Sequence, residues 1–116
     1  MKPKFKRVVF YYEDYYLDFF ESLRPEVKKK FNWVLQLIST VERVPEKFLK
    51  HLSGTSGIYE IRIDYGSDTY RVFCFFAGNN ALILMNAFQK KSNKAPLKEL
   101  SRAEKIKKRY LYEQTE

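Results

Sequence analysis

Only one cysteine, Cys74, occurs in the 116 residues, so no internal disulfide is available. Inside an apolar stretch it reads as a small buried side chain rather than a nucleophile, and a disulfide-free chain suits a reducing cytoplasm. One histidine, His51, with no cysteine pair and no carboxylate cluster, gives little to hold a metal. No metal and no cofactor is therefore expected. The four glycines form no phosphate cradle or dinucleotide turn. No apolar run approaches a membrane span, and MKPKFKRVVF lacks the apolar centre of a signal peptide. A soluble cytoplasmic protein without a membrane partner is the expectation. No period of twenty or more residues repeats.

What the chain has in quantity is positive charge and aromatic side chains. Its formal net charge is +8, unevenly spread. Residues 89–109 carry nine Lys/Arg against two Glu, a net of +7, whereas residues 11–22 carry four acids and no base. That asymmetry suggests different partners or roles for the two ends. The basic segment, with Lys94, Lys98 and Arg102, is a candidate nucleic-acid contact, since clustered cations raise the local concentration of phosphate polymers. A solvated helix face that keeps the protein in solution is the competing reading. At 45% hydrophobic and 17% aromatic, the chain is long enough for one compact domain, residues 1–116, with its own core.

Residues 54–91 organise the rest. GIYEIRIDY alternates Tyr59, Ile61, Ile63 and Tyr65 with Glu60, Arg62 and Asp64, as a strand with one apolar and one charged face. Gly66-Ser67-Asp68 turns the chain into TYRVFCFFA, and Asn79-Asn80 turns it into ALILMNAFQKK. Burying charge is expensive, so Glu60, Arg62, Arg71 and the terminal lysine pair are expected on one open surface. Alternation along the last strand groups Lys91 with Ile83, Met85, Ala87 and Gln89, which favours Lys91 over Lys90 for that surface unless the ladder breaks before Gln89.

Ahead of this region, Lys4–Tyr12 reads as a first strand, at the edge or within the sheet. Tyr16, Phe19, Phe20 and Leu23 recur at helical spacing up to Arg24-Pro25. Val27, Phe31, Val34, Leu35, Ile38 and Val41 then mark a second helix opened by Pro25. PEKFLKHL reads as a short helical piece, followed by a flexible Gly-Ser stretch at 53–57. After the polar linker 92–96, LKELSRAEKIKKRYLYEQ is a basic amphipathic helix that docks on the sheet or on a partner. The fold class is α+β: an antiparallel meander on an N-terminal helical hairpin, in the order β-α-α-β-β-β-α.

The strings LSGTSGIYEIR at 52–62, YRVFCFF at 70–76, FQKK at 88–91 and Ala95-Pro96 through Glu99-Leu100 to Ala103 resemble, in this order and with these gaps, the RelE/ParE superfamily. These are the toxin components of bacterial toxin–antitoxin pairs, and the likeness is strongest to the phage-derived HigB-like branch. The resemblance implies a RelE-like fold and a ribosome-dependent endoribonuclease that cuts messenger RNA, silenced by a cognate antitoxin, often of helix-turn-helix type. It places the catalytic positions on Arg62, Arg71, Lys90 and Lys91, with Glu60 in the same motif. Relatives carry a Tyr or His-Tyr pair for proton transfer where FQKK stands here, and Tyr110 and Tyr112 do not align with it.

Cleavage of RNA by its own 2'-hydroxyl needs a proton acceptor, charge stabilisation on a phosphorane, and help for the departing 5'-oxygen. Arginines grip phosphate oxygens through two hydrogen bonds, and preorganised cations act on developing charge. Arg71 is assigned to the scissile phosphate and Arg62 beside it. Glu60 or a lysine among crowded cations is the candidate base. A cross-strand ion pair of Glu60 with Arg71 or Arg62 is the structural alternative. His51 is a possible base that more ordinarily caps carbonyls or meets solvent. Ser53, Ser56 and Ser92 read as loop residues, and Phe73 and Phe75 either stack on bases or pack beneath the last helix. Two other functions stay open: a non-catalytic ParE-like gyrase inhibitor, or a basic nucleic-acid-binding phage accessory protein.

Overall fold

A computed structural model describes residues 6–115. Eight elements follow one another: β1 (Val8–Tyr11), α1 (Tyr15–Glu21), α2 (Pro25–Thr40), β2 (Leu49–His51), β3 (Tyr59–Tyr65), β4 (Asp68–Ala77), β5 (Ala81–Lys90) and α3 (Leu97–Gln114). They build one five-stranded sheet in the order β1-β5-β4-β3-β2. The β2-β3-β4-β5 pairings are antiparallel and β1 lies parallel to β5 at the edge. The expected α+β class, its N-terminal helices and its meander are all present.

The sheet divides the core in two. On one face, Val27, Phe31, Val34 and Ile38 of α2 and Tyr16 of α1 meet Ile61, Ile63, Tyr70, Val72, Leu82 and Leu84. Their spacing along α2 puts them on one stripe, which is why this stretch forms an amphipathic helix. The Phe31 ring is fully buried and meets the rings of Tyr16, Phe19, Phe20 and Tyr70 at 5.5–6.4 Å. On the other face, Ala103 and Ile106 of α3 cover Ile58, Phe73, Phe75, Ile83 and Met85. Phe73 and Phe75 are therefore core residues beneath the last helix, which docks on the sheet.

Three local expectations are corrected. The helical piece expected over PEKFLKHL is a single turn at 46–48 followed by β2, whose Leu49, Lys50 and His51 pair with Ile61, Glu60 and Tyr59. A three-residue ladder satisfies the open edge of β3, and that long-range gain outweighs an eight-residue local pattern. The Gly-Ser stretch is tied down rather than loose: Thr55 Oγ1 donates to Leu52 O at 2.7 Å, Ile58 N donates to Thr55 Oγ1 at 3.0 Å, and Ser56 hydrogen-bonds to Glu104 of α3. The first strand is shorter than Lys4–Tyr12. Lys4 and Phe5 lie outside the described residues, and Arg7 instead donates to Ile38, Val41 and Glu42 carbonyls at 2.8–2.9 Å, closing the C-terminal end of α2.

A bulge in β5 sets which side chains share a face with the arginines. Val72 faces Ala87 and Cys74 faces Leu84, so β4 advances two residues while β5 advances three. Parity therefore switches midway: Leu82, Leu84 and Ala87 lie on the α2 side, whereas Ile83, Met85 and Phe88 lie on the α3 side. Asn86, 1% exposed within this bulge, donates from Nδ2 to Glu99 O and Glu99 Oε1, both at 2.9 Å. That link fixes the first turn of α3 and hence the 91–96 linker.

Phe31→Ala is expected to destabilise the fold by about 3–5 kcal/mol, whereas Trp33→Ala, at an exposed position of the same helix, is expected to change it by less than about 1 kcal/mol. Urea unfolding followed by circular dichroism distinguishes the two.

Candidate functional site

Arg62 and Arg71 are direct cross-strand partners in the β3–β4 ladder, so both guanidinium groups leave the sheet on the same side, the side of α3. Like charges placed opposite each other repel, and one carboxylate stands between them. Glu60 Oε2 accepts from Arg62 Nε at 3.0 Å, while Glu60 Oε1 lies 3.5 Å from Arg71 Nε. Arg71 also donates from Nη1 to Tyr70 O at 2.9 Å and lies 3.8 Å from Asp64 Oδ1. Burial draws the Arg71 guanidinium below its ordinary value, Glu60 raises it again, Arg62 lowers it and Asp64 raises it. It remains charged under ordinary conditions.

This geometry corrects the expected open surface. Glu60 is 7% exposed and Arg71 8% exposed, and both count among the buried residues. In register, Glu60 faces Phe73 of the α3 core, at the margin of the ground that α3 covers. The opening lies farther along the strands, where Thr69, Arg71, Lys90, Lys91, Ser92 and Asn93 line a polar hollow of about 300 Å³. Alternation alone favours Lys91. The bulge reverses this: Lys90 pairs with Thr69, two residues from Arg71, and shares its face, while Lys91 reaches the hollow from just past the end of the strand.

The remaining candidates are less gathered. Lys94 and Lys98 are exposed, in the linker and in the first turn of α3. Arg102 turns elsewhere: its guanidinium lies 5.4 Å from the Tyr15 ring centre and lines a separate hollow with Glu13, Asp14 and Asp18. The acidic segment and part of the basic one thus face each other within the fold. His51 pairs with Tyr59, whose packing is on the α2 side, so it points away from Glu60, Arg62 and Arg71. Ser92 belongs to the hollow, whereas Ser56 braces α3.

Sequence reasoning missed Thr69 and Lys50. Thr69 shares strand parity with Arg71 and was legible by counting back two residues. Lys50 lies directly opposite Glu60 on β2, and the helical reading of its segment concealed that. Cys74 is fully buried, and burial, reinforced by the charge of Glu60, pushes its thiol well above the ordinary range. Alkylation by iodoacetamide at mildly alkaline pH is therefore expected only after unfolding; prompt labelling of the folded chain would contradict the assigned burial.

Glu60→Gln removes the counter-ion shared by the guanidiniums and is expected to cost about 1–3 kcal/mol of stability. Added sulfate is expected to restore more of the variant's melting temperature than it adds to the wild type, because it supplies the missing anion. Equal sulfate responses would show that the paired guanidiniums do not bind an anion there.

Among the described residues, no helix is long and apolar enough to cross a membrane. No curated protein matches the sequence. The structure is similar to a chain of the archaeal RelE–RelB complex from Pyrococcus horikoshii OT3, with a TM-score of 0.54 and 22% identity, over 78% of this chain and 99% of that one. At that identity the likeness speaks for the fold, which is RelE-like. The sequence itself, across residues 18–108, matches the family described as phage derived protein Gp49-like (DUF891). With most of its length matched, including every residue that lines the polar hollow, the chain belongs to this Gp49-like family.

Proposed function

We propose that this chain is the toxin of a toxin–antitoxin pair and acts as a metal-independent endoribonuclease on messenger RNA at the ribosome. One observation carries the reading: Arg62 and Arg71 are held side by side around a single carboxylate, next to a polar hollow that also contains Lys90 and Lys91. In formal charge those four cations and the carboxylates of Glu60 and Asp64 sum to +2, the exposed Asp64 being the weaker neutraliser. A doubly charged phosphorane would neutralise that excess, whereas a neutral ligand would leave it standing. The likeness to a RelE chain solved with RelB adds the second half of the proposal, a protein antitoxin that silences the site.

In this reading the scissile phosphate enters the hollow, where Arg71 binds a non-bridging oxygen through Nη2, its Nη1 being held by Tyr70 O, and Arg62 binds from beside the hollow. The two-pronged guanidinium suits that task better than an ammonium. The 2'-hydroxyl attacks phosphorus, the bond to the 5'-oxygen breaks, and a cyclic phosphate forms. Charge that builds on the phosphorane is met by groups already in place, the largest contribution such sites make. Both Glu60 oxygens face arginines, so its part is to hold them; the proton from the 2'-hydroxyl passes to solvent in the open hollow, and a lysine ammonium of the hollow gives a proton to the departing 5'-oxygen. Lys94 and Lys98 extend the positive surface along the flanking backbone. Arg102, engaged with Tyr15, contributes at the periphery. The site of action is the cytoplasm.

Arg71→Lys preserves the charge but removes the fork, and is expected to lower cleavage of message on programmed ribosomes about 100-fold while the protein remains folded; Arg71→Ala is expected to abolish it. Undiminished cleavage by Arg71→Lys would reject the assignment. Mapping message 5' ends after brief induction in cells tests the activity itself. Cuts in register with codons support it, and loss of supercoiling without cuts would replace it with gyrase inhibition.

A further inference from the structure

The two edges of the sheet are unlike. β2 is three residues long and carries Lys50 and His51, charged or polar groups of the kind that discourage further pairing. β1 carries none. Its sequence is Val8-Val9-Phe10-Tyr11, and Val8, Phe10 and Tyr11 are 43%, 51% and 52% exposed. Apolar hollows lie on both sides of it. One, of about 610 Å³, runs between β1 and helices α1 and α2 and includes Val9, Tyr11, Leu17, Phe20 and Leu35. The other, of about 380 Å³, holds Phe10 with Ile83 and Tyr110. An unprotected strand edge between two apolar hollows calls for an added strand whose alternate side chains enter both.

The backbone says which residues would pair. Val8 N donates to Asn80 O and Tyr12 N to Leu84 O, so the even-numbered residues turn their main-chain groups toward β5. Val9 and Tyr11 turn theirs outward, to the open edge. We propose that a second copy of this chain fills this edge by antiparallel pairing of β1 with β1. In the register that uses every outward group, Val9 of one protomer exchanges both hydrogen bonds with the partner's Tyr11, and the two Phe10 side chains face each other on the twofold axis. Shifting the register one way would require Arg7, whose N–H is already bound to Ser39 O. Shifting it the other way would require Glu13, which leaves the extended conformation at φ 56°. Only the Phe10-centred register is free of both conflicts.

Charge agrees with that orientation. β1 is entered from Lys6 and Arg7 and left toward Glu13 and Asp14. Antiparallel pairing therefore directs Lys6 of one protomer, whose contact with Glu42 at 3.7 Å is exposed and weak, toward the acidic exit of its partner, twice by symmetry. The result is a continuous sheet across two protomers. Its junction lies beyond the end of β5 that pairs with β1, residues 81–84, and away from the end that bears Lys90. The association is independent of the proposed chemistry and leaves the polar hollow open.

Paired Phe10 residues form a non-hydrogen-bonded pair, the close type, with α-carbons about 4.5 Å apart, a separation that a disulfide spans. Phe10→Cys is expected to give a disulfide-linked dimer under mild oxidation, far faster than Ser101→Cys, an exposed position on α3. Light scattering of the isolated wild type is expected to show concentration-dependent dimers, with Phe10→Asp raising the dissociation constant at least about tenfold while ribosome-dependent cleavage stays unchanged. Because Phe10 is half exposed, that variant retains the fold. A wild type that is monomeric at every accessible concentration, together with equal crosslinking of the two cysteine variants, overturns the proposal. If the edge is protected only after a partner protein is added, the occupant is that protein and the self-pairing is wrong.

Discussion

Two guanidinium groups opposite one another on neighbouring strands are an unfavourable pair unless an anion is placed between them. Glu60 supplies that anion, and much of the local architecture serves to keep it there. Its carboxylate is almost removed from water, so it must remain paired, and the nearest cations are the arginines whose repulsion it relieves. The three groups form a compact unit in which one positive charge remains in excess. Asp64, the other nearby carboxylate, is well exposed and contributes little against it.

The extra residue in β5 connects this unit to its surroundings. Without it, alternation would carry Lys90 to the side of α2, and the arginine face would receive Ala87 and Gln89, with Lys91 just past the end of the strand. With it, Phe88 and Lys90 continue the face on which Arg71 and Thr69 lie, and the Phe88 ring rests 5.3 Å from that of Phe73. The same irregular segment places Asn86 where it can hold the start of α3. A single inserted residue therefore sets the lysine, the linker and the covering helix together.

The meander was readable because its three long strands alternate strongly and are separated by turn residues, and α2 was readable because its apolar residues follow one helical stripe. That Arg62 and Arg71 share a face was also legible from alternation within each strand. What local pattern could not carry was the outcome of pairing between distant segments. β2 exists because β3 offers an edge, the bulge exists because β4 and β5 have unequal path lengths, and Glu60 is buried because the α3 core ends beside it. Each of these depends on neighbours distant in the chain. The helical reading of 45–52 failed for that reason, and the break in the ladder before Gln89, the stated exception to favouring Lys91, is what the bulge supplies.

The last helix rests on a thin apolar footing, Ala103 and Ile106 with Leu100 and Tyr110, and its glutamates add polar ties. Glu99 accepts from Asn86, Glu104 from Ser56, and Glu113 from Tyr12. Glu99 is thereby turned inward, whereas Glu113 stays exposed and also pairs with Arg109 at 3.3 Å. A polyanion drifting toward the start of this helix meets Lys94 and Lys98 while the nearest acid, Glu99, is held by Asn86, and it feels more of their charge than the order of residues alone would suggest.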